Sequence, residues 1–223
     1  MRVFITGIGR GIGKKLVELY LEEGAKVYGV GRKNPFNSEI QFIQADLTAV
    51  EQLPGKLRKW EGIQFQLAIL NAGVLGEIKD LKEWSLWELN SIFQVNLWAN
   101  KVLIDWLSPR TGKIVAISSG AAVNGNRGWG GYALSKAGLN MLVKLYSHEI
   151  PGKIYAIAPG VIGTQMVQQV LEGDREKFPS IQRVKAGMLP LEEGVRRLKK
   201  GIEVLDRFPS GSFVDVRELE LER

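Results

Sequence analysis

Seven short apolar runs punctuate the chain, at Arg2–Thr6, Lys26–Val30, Ile40–Gln44, Phe65–Leu70, Lys113–Ser118, Lys153–Ala158 and Ser212–Val216. Most are near-continuous rather than alternating, the pattern of parallel strands covered on both faces. Between them the apolar positions recur at helical spacing. Gly13–Glu23 carries Leu16, Leu19 and Tyr20 on one side and ends at Gly24; Leu86–Leu107, Gly131–Ile150 and Leu191–Leu205 follow the same rule. Strand-helix alternation of this kind predicts a doubly wound α/β fold, a mostly parallel seven-stranded sheet with helices on both faces. Nothing resembles a linker or repeat, so residues 1–223 are read as a single domain. The least regular stretch, 164–190, begins helically and then carries Gly173, Pro179, Gly187 and Pro190; it reads as a short, mobile substrate-binding insert.

Composition narrows the chemistry. With no cysteine and one histidine, His148, disulfides and thiol catalysis are excluded and no metal site is expected. No apolar run reaches membrane-spanning length, and Val3-Phe4-Ile5 follows the first residues without a charged leader, so a cytoplasmic protein without membrane association is expected. The net charge of +6 is dispersed. Its small clusters, Lys56-Arg58-Lys59 and Arg196-Arg197-Lys199-Lys200, lie in leucine-bearing helical stretches and read as solvated faces. The tail, ELELER, is largely acidic, and nucleic acid is not an expected partner.

The segment TGIGRGIG, Thr6 to Gly13, sits between the first strand and the first helix. An α/β fold binds phosphate there, on backbone N–H groups and the positive end of the helix dipole, with glycine letting the anion come close. The spacing matches neither GxGxxG nor a P-loop, since Lys15 stands where Ser or Thr is needed. It fits TGxxxGxG through Thr6, Gly7, Gly11 and Gly13.

Further along come Asp46 in ADLT, Asn71-Ala72-Gly73, Asn96 in FQVNLWAN, Ser118-Ser119, Tyr132-Ala133-Leu134-Ser135-Lys136, and Pro159-Gly160-Val161-Ile162-Gly163-Thr164. In this order, at strand ends and on helices, these motifs make nearly the whole chain resemble the short-chain dehydrogenase/reductase family. The resemblance implies a Rossmann-type domain binding a nicotinamide dinucleotide and an oxidoreductase interconverting a carbonyl and a secondary alcohol.

Tyr132 and Lys136 stand four apart on one helix face. An ammonium beside a phenol favours the phenolate, so the pair reads as a general acid/base, with Lys136 expected to lower the tyrosine pKa. The resemblance implies that Ser119, thirteen positions before Tyr132, hydrogen-bonds the reacting oxygen; Ser118 is the adjacent candidate. It implies that Asn96 holds, through its backbone, a water that feeds protons to Lys136. It also implies a cofactor site of Thr6, Gly7, Gly9, Arg10, Gly11, Ile12, Gly13, Asp46 and Leu47, then Asn71, Ala72, Gly73, Tyr132, Lys136, Pro159, Gly160, Ile162 and Thr164. Within it Asp46 would meet the adenine amino group, and Ile162 and Thr164 the carboxamide.

The second strand ends Gly29-Val30-Gly31-Arg32-Lys33, without the acid that accepts from a ribose 2′-OH. Arg32 and Arg10 could fork a 2′-phosphate instead, which favours NADP(H) over NAD(H). Asn124, Trp129, Gly130, Gln165, Met166, Val170 and Phe178 are expected to border the pocket for a small carbonyl or alcohol whose identity stays open. The alternative to an enzyme is an NADP(H)-binding sensor or scaffold on the same fold, which loss of Tyr132 or Lys136 would have favoured. Wide apolar arcs on the helices bearing Trp87, Trp98, Leu139, Leu142 and Leu145 suggest a homodimer or homotetramer.

Overall fold

The computed structural model describes residues 1–221; Glu222 and Arg223, the end of the acidic tail, lie outside the described residues. The elements are β1 (Arg2–Thr6), α1 (Gly11–Glu22), β2 (Lys26–Gly31), β3 (Gln41–Gln44), α2 (Leu53–Leu57), β4 (Leu67–Leu70), α3 (Leu86–Phe93) and α4 (Ala99–Leu107). They continue with β5 (Lys113–Ile117), α5 (Ala121–Asn124), α6 (Gly130–Tyr146), β6 (Lys153–Ala158), β7 (Val161–Ile162), α7 (Gln165–Leu171), α8 (Ser180–Ala186), β8 (Met188–Leu189), α9 (Leu191–Glu203) and β9 (Phe213–Asp215).

The seven runs read as strands form one sheet, in the order β3-β2-β1-β4-β5-β6-β9, and each neighbouring pair is parallel. Alternate residues of each strand feed two separate cores. Phe4, Ala68, Leu70, Ile114, Ala116 and Ala156 pack with Leu57, Trp60, Leu103, Leu107 and Leu139 on one face. Val3, Ile5, Ile69, Val115, Tyr155 and Ile157 pack with Leu16, Tyr20, Leu198 and Ile202 on the other. Burial on both faces is why these strands read as continuous apolar runs. Aromatic edges fill the first layer: Phe4 meets Trp60 at 6.1 Å and Phe65 at 5.6 Å between ring centroids, both edge to face.

The order of strands reverses between β1 and β4, which opens a crevice at their carboxyl ends. Every motif singled out above lies on that side. Two features differ from the sequence expectation. The helix expected over 86–107 is interrupted by a π turn, Gln94–Trp98, which separates α3 from α4. The stretch 164–190, read as irregular after a helical start, is folded into α7, α8 and a two-stranded pair in which Val161-Ile162 lie beside Met188-Leu189.

Candidate active site

The glycine loop is shaped by close approach. Gly7 has φ 72° and Gly11 φ 56°, left-handed conformations that cost other residues strain. A Cβ on Gly13 would lie 2.3 Å from the Gly7 carbonyl oxygen and 2.4 Å from Asn71 Nδ2, so only glycine lets α1 start here. Helix α1 begins without a side-chain cap and without an acid in its first turn. Its leading amides and the dipole therefore face the crevice unneutralised, with the Arg10 guanidinium close by. This cradle fits a pyrophosphate.

Thr6 and Asn71 lock the ends of β1 and β4 together. The buried Thr6 hydroxyl accepts from the N–H groups of Asn71 and Ala72, each at 3.0 Å. Asn71 Nδ2 donates to the carbonyls of Thr6 and Gly7, at 3.0 and 3.3 Å. Asn71 thus braces the central strands.

The remaining cofactor candidates divide by exposure. Asp46 is exposed; the Thr48 N–H and hydroxyl donate to its Oδ1, both at 2.9 Å, and these bonds, with Arg32 nearby, hold its carboxyl below the usual range. Arg32 is exposed at the end of β2. Arg10 reaches across the crevice, its Nη1 donating to Gln165 Oε1 on α7. Thr164 caps α7 by accepting from the Val167 N–H at 3.3 Å, and its methyl faces Gly11. Leu47 and Ile162 are buried in the core, Ile162 against Gly194 of α9, so each offers a ligand its backbone. Gly160 turns the chain after β6 at φ 75°.

Four polar side chains meet around the first turns of α6. Tyr132 is half-buried and lies beside Ser119, whose hydroxyl favours the ionised phenol. Ser119 Oγ also accepts from the Ala121 N–H at 3.1 Å. Ser118 turns the other way and donates to Asn140 Oδ1 at 2.6 Å, which leaves Ser119 as the serine that faces the tyrosine. Lys136 is buried, its Nζ donating to the Ile117 carbonyl at 2.7 Å and lying 5.7 Å from the centre of the Tyr132 ring. Gly73 comes close to both groups behind the tyrosine: a Cβ there would be 3.3 Å from Asn96 Oδ1 and 3.5 Å from Lys136 Nζ.

The electrostatics differ from the expectation. Burial pushes the Tyr132 phenol above its ordinary value, and the neighbouring Ser119 hydroxyl is what pulls it down. Burial lowers Lys136 to about 8. The lysine here is itself a group that can lose its proton near neutral pH, rather than a fixed charge that sets the phenol.

Asn96 lies inside the π turn and is fully buried. Its Oδ1 accepts from the Val74 N–H at 2.8 Å, while its Nδ2 donates to the Val74 carbonyl at 2.8 Å and to Ser135 Oγ at 2.9 Å. Ser135 Oγ donates in turn to the Tyr132 carbonyl at 2.8 Å. The side chain is a bolt between the Asn71–Val74 loop and the turn of α6 that carries the tyrosine. Its own carbonyl accepts from Asn100 Nδ2 at 2.7 Å. Ser135 and Asn100 were not singled out from the sequence; the signal was a buried-side polar residue on each of two apolar helices.

The insert supplies an apolar wall beside Tyr132. Leu75, Val170, Phe178 and Ile181 form a small core against which Ile78, Trp129, Tyr132 and Met166 pack. Trp129 Nε1 donates to Ser180 Oγ at 2.9 Å, tying the loop before α6 to α8. Asn124 and His148 are exposed.

Residues 1–175 match the short chain dehydrogenase family. The chain belongs to that family. It is an oxidoreductase of the short-chain dehydrogenase type, with the mostly parallel sheet and flanking helices that this entails. Among its relatives is a benzil reductase ((S)-benzoin forming) of Bacillus cereus, 28% identical, the alignment covering 97% of this chain and 99% of that one. Two solved structures share the fold at low identity. One is a short chain dehydrogenase from Shigella flexneri complexed with NADP, TM-score 0.78, 22% identical, covering 97% of this chain and 96% of that one. The other is 4-hydroxyisoleucine dehydrogenase complexed with NADH, TM-score 0.81, 21% identical, covering 96% of each. Among the described residues no helix is long and apolar enough to cross a membrane.

Proposed function

We propose that this short-chain dehydrogenase is an NADP(H)-dependent carbonyl reductase, of cytoplasmic location, acting on an apolar ketone or diketone. The observation that carries the reading is Tyr132 beside Ser119, with Lys136 buried one turn along the same helix and bonded to the Ile117 carbonyl. When bound, NADP(H) supplies or accepts the hydride. Its pyrophosphate would rest on the uncapped start of α1, its adenine against Asp46, and its 2′-phosphate between Arg10 and Arg32.

Ser119 and Tyr132 hold the substrate oxygen, and Tyr132 gives it a proton as the carbonyl is reduced. Desolvation keeps the phenol protonated and able to donate. Lys136 stabilises the phenolate formed by that transfer and passes on a proton, for which a pKa of about 8 is well matched to neutral pH. Asn96, through Ser135, fixes the helix turn on which Tyr132 stands. The apolar wall of Trp129, Met166 and Ile78 suits aryl and alkyl groups, in keeping with the substrate named for the Bacillus cereus relative. The exposed apolar side chains Trp87, Trp98, Leu134, Met141 and Leu145 support a homodimer or homotetramer through α3, the π turn and α6.

The test is the loss of reduced-nicotinamide absorbance with NADPH, then NADH, over a panel of ketones and diketones. Tyr132→Phe should abolish turnover and leave NADPH binding within about twofold, since the lost hydroxyl serves Ser119 and the reacting oxygen. Equal loss of cofactor binding, or no loss of turnover, would overturn the assignment.

A further inference from the structure

Two side-chain donors converge beside Ser119 over a residue that has no side chain of its own. Gly120 follows Ser119 and leads into α5. From the position a Cβ would take on Gly120, Arg217 Nη2 is 3.2 Å away, Asn124 Nδ2 is 3.3 Å away and Asp215 Oδ2 is 3.9 Å away. The two nitrogens belong to chain segments far apart in sequence, and both crowd the position a side chain on residue 120 would take.

Arg217 is fixed in this place. Its Nε and Nη2 donate to Asp215 Oδ1 and Oδ2 at 2.9 and 2.6 Å, and its backbone N–H donates to Oδ1 at 3.0 Å. Its Cγ and Cδ lie over Gly160, 3.4 and 3.5 Å from where a Cβ would sit. Two glycines thus make room for one arginine between the serine loop and the turn after β6. A guanidinium has five N–H donors, and only two point at Asp215. The side chain keeps 54% of its surface exposed. Asn124 is exposed, and its side chain hydrogen-bonds no other side chain or backbone group among the described residues.

We propose that Gly120, Asn124 and Arg217 form a second oxygen-binding subsite next to the reacting carbonyl, taking the neutral acceptor oxygen of a dicarbonyl or α-hydroxy ketone. The inference rests on the reductase reading above and names its substrate class more closely. Charge decides between neutral and anionic acceptors. Asp215 offsets the guanidinium and stands close enough to repel a carboxylate, whereas a ketone or hydroxyl oxygen needs only the N–H dipoles.

The experiment compares kcat/KM for 1-phenyl-1,2-propanedione, propiophenone and benzoylformate in wild type, Arg217→Met and Asn124→Ala. A diketone is intrinsically more electrophilic than a ketone, so the informative quantity is each variant's ratio to wild type. Each substitution should lower the dione value about tenfold, as expected for one lost hydrogen bond to a polar or charged donor, and leave propiophenone within about twofold. Benzoylformate should be the poorer of the two dicarbonyl compounds in wild type. Equal losses on dione and propiophenone, or a preference for the keto acid, would overturn the subsite. Should Arg217→Met melt far below wild type, Asn124→Ala, at an exposed position, carries the comparison. If wild type reduces none of the three, the reductase reading fails, and calorimetric titration of the dione into wild type and Asn124→Ala decides the subsite alone. Weaker binding by the variant sustains it; equal binding or none overturns it.

Discussion

Replacing Ser135 by alanine isolates the bolt behind the active site. The hydroxyl is fully buried, accepts from Asn96 Nδ2 at 2.9 Å and donates to the Tyr132 carbonyl at 2.8 Å. The Tyr132 carbonyl keeps its place in the α6 ladder, so its loss is small. The Asn96 N–H is different: its partner disappears in surroundings that water does not reach, and a buried donor left unpaired costs about 1–3 kcal/mol. Taking the middle of that range, stability should fall by about 2 kcal/mol, a drop in Tm of roughly 4–8 °C for a chain of this size. Thermal and urea melts would measure it, with Ser91→Ala as control, since the Ser91 hydroxyl binds the Trp87 carbonyl at an exposed position and should change stability by less than about 0.5 kcal/mol. A double-mutant cycle with Asn96→Ala should show coupling of about 1 kcal/mol, because the second substitution removes a donor already orphaned. A Ser135→Ala protein that melts with wild type, or perfectly additive losses, would mean that the Asn96–Ser135 bond does not hold the turn.

Lys136 gives a pH signature. Its folded-state value of about 8 lies below the ordinary 10.5, so between those values the unfolded chain binds more protons and the lysine's contribution to stability rises with pH. Across pH 8 to 10, wild type should therefore gain stability relative to Lys136→Met in urea melts; parallel profiles would refute the burial of the amine. Gly13→Ala places a methyl against the Gly7 carbonyl oxygen and Asn71 Nδ2, and should cost about 1–3 kcal/mol by overpacking together with most NADPH affinity, read by fluorescence titration. Arg10→Glu with Arg32→Glu should raise the KM for NADPH at least about tenfold while changing that for NADH far less; equal changes would sink the 2′-phosphate assignment.

The fold was legible because both faces of the sheet are covered. Continuous apolar runs marked all seven strands to within a residue or two, and the widest miss is at β4. There Phe65 makes only an isolated bridge to Thr111 before the strand begins at Leu67. The glycine loop was equally readable, since Gly7, Gly11 and Gly13 each answer a backbone constraint that no other residue meets. Side-chain networks were not. Asn96 was expected to hold a water through its backbone, but its side chain pairs with Ser135 on another helix, and helical spacing alone cannot pair them. Arg217 stands just before the acidic tail and carries no motif, and only the strand order, which carries β9 beside β6, brings it to Gly120. The balance between Tyr132 and Lys136 depends on how far each is desolvated, a property of the packed helix rather than of the interval between two letters.

The π turn at Gln94–Trp98 fixes the angular phase of everything after it. Each residue of an α-helix advances the side chains by about 100°, and a π turn absorbs one residue without passing that rotation on. Were the turn to relax into regular helix with all its residues kept, the stretch after it would be turned by about that angle against α3. Leu103, Ile104 and Leu107, all now fully buried, would swing away from the sheet. The irregularity that carries Asn96 is in this sense a phase shifter: it allows a single helical rod to present one face to the tyrosine and, further along, another to the core. A one-residue deletion between 94 and 98 should thus leave α4 in phase and be felt at the Asn96 contacts instead.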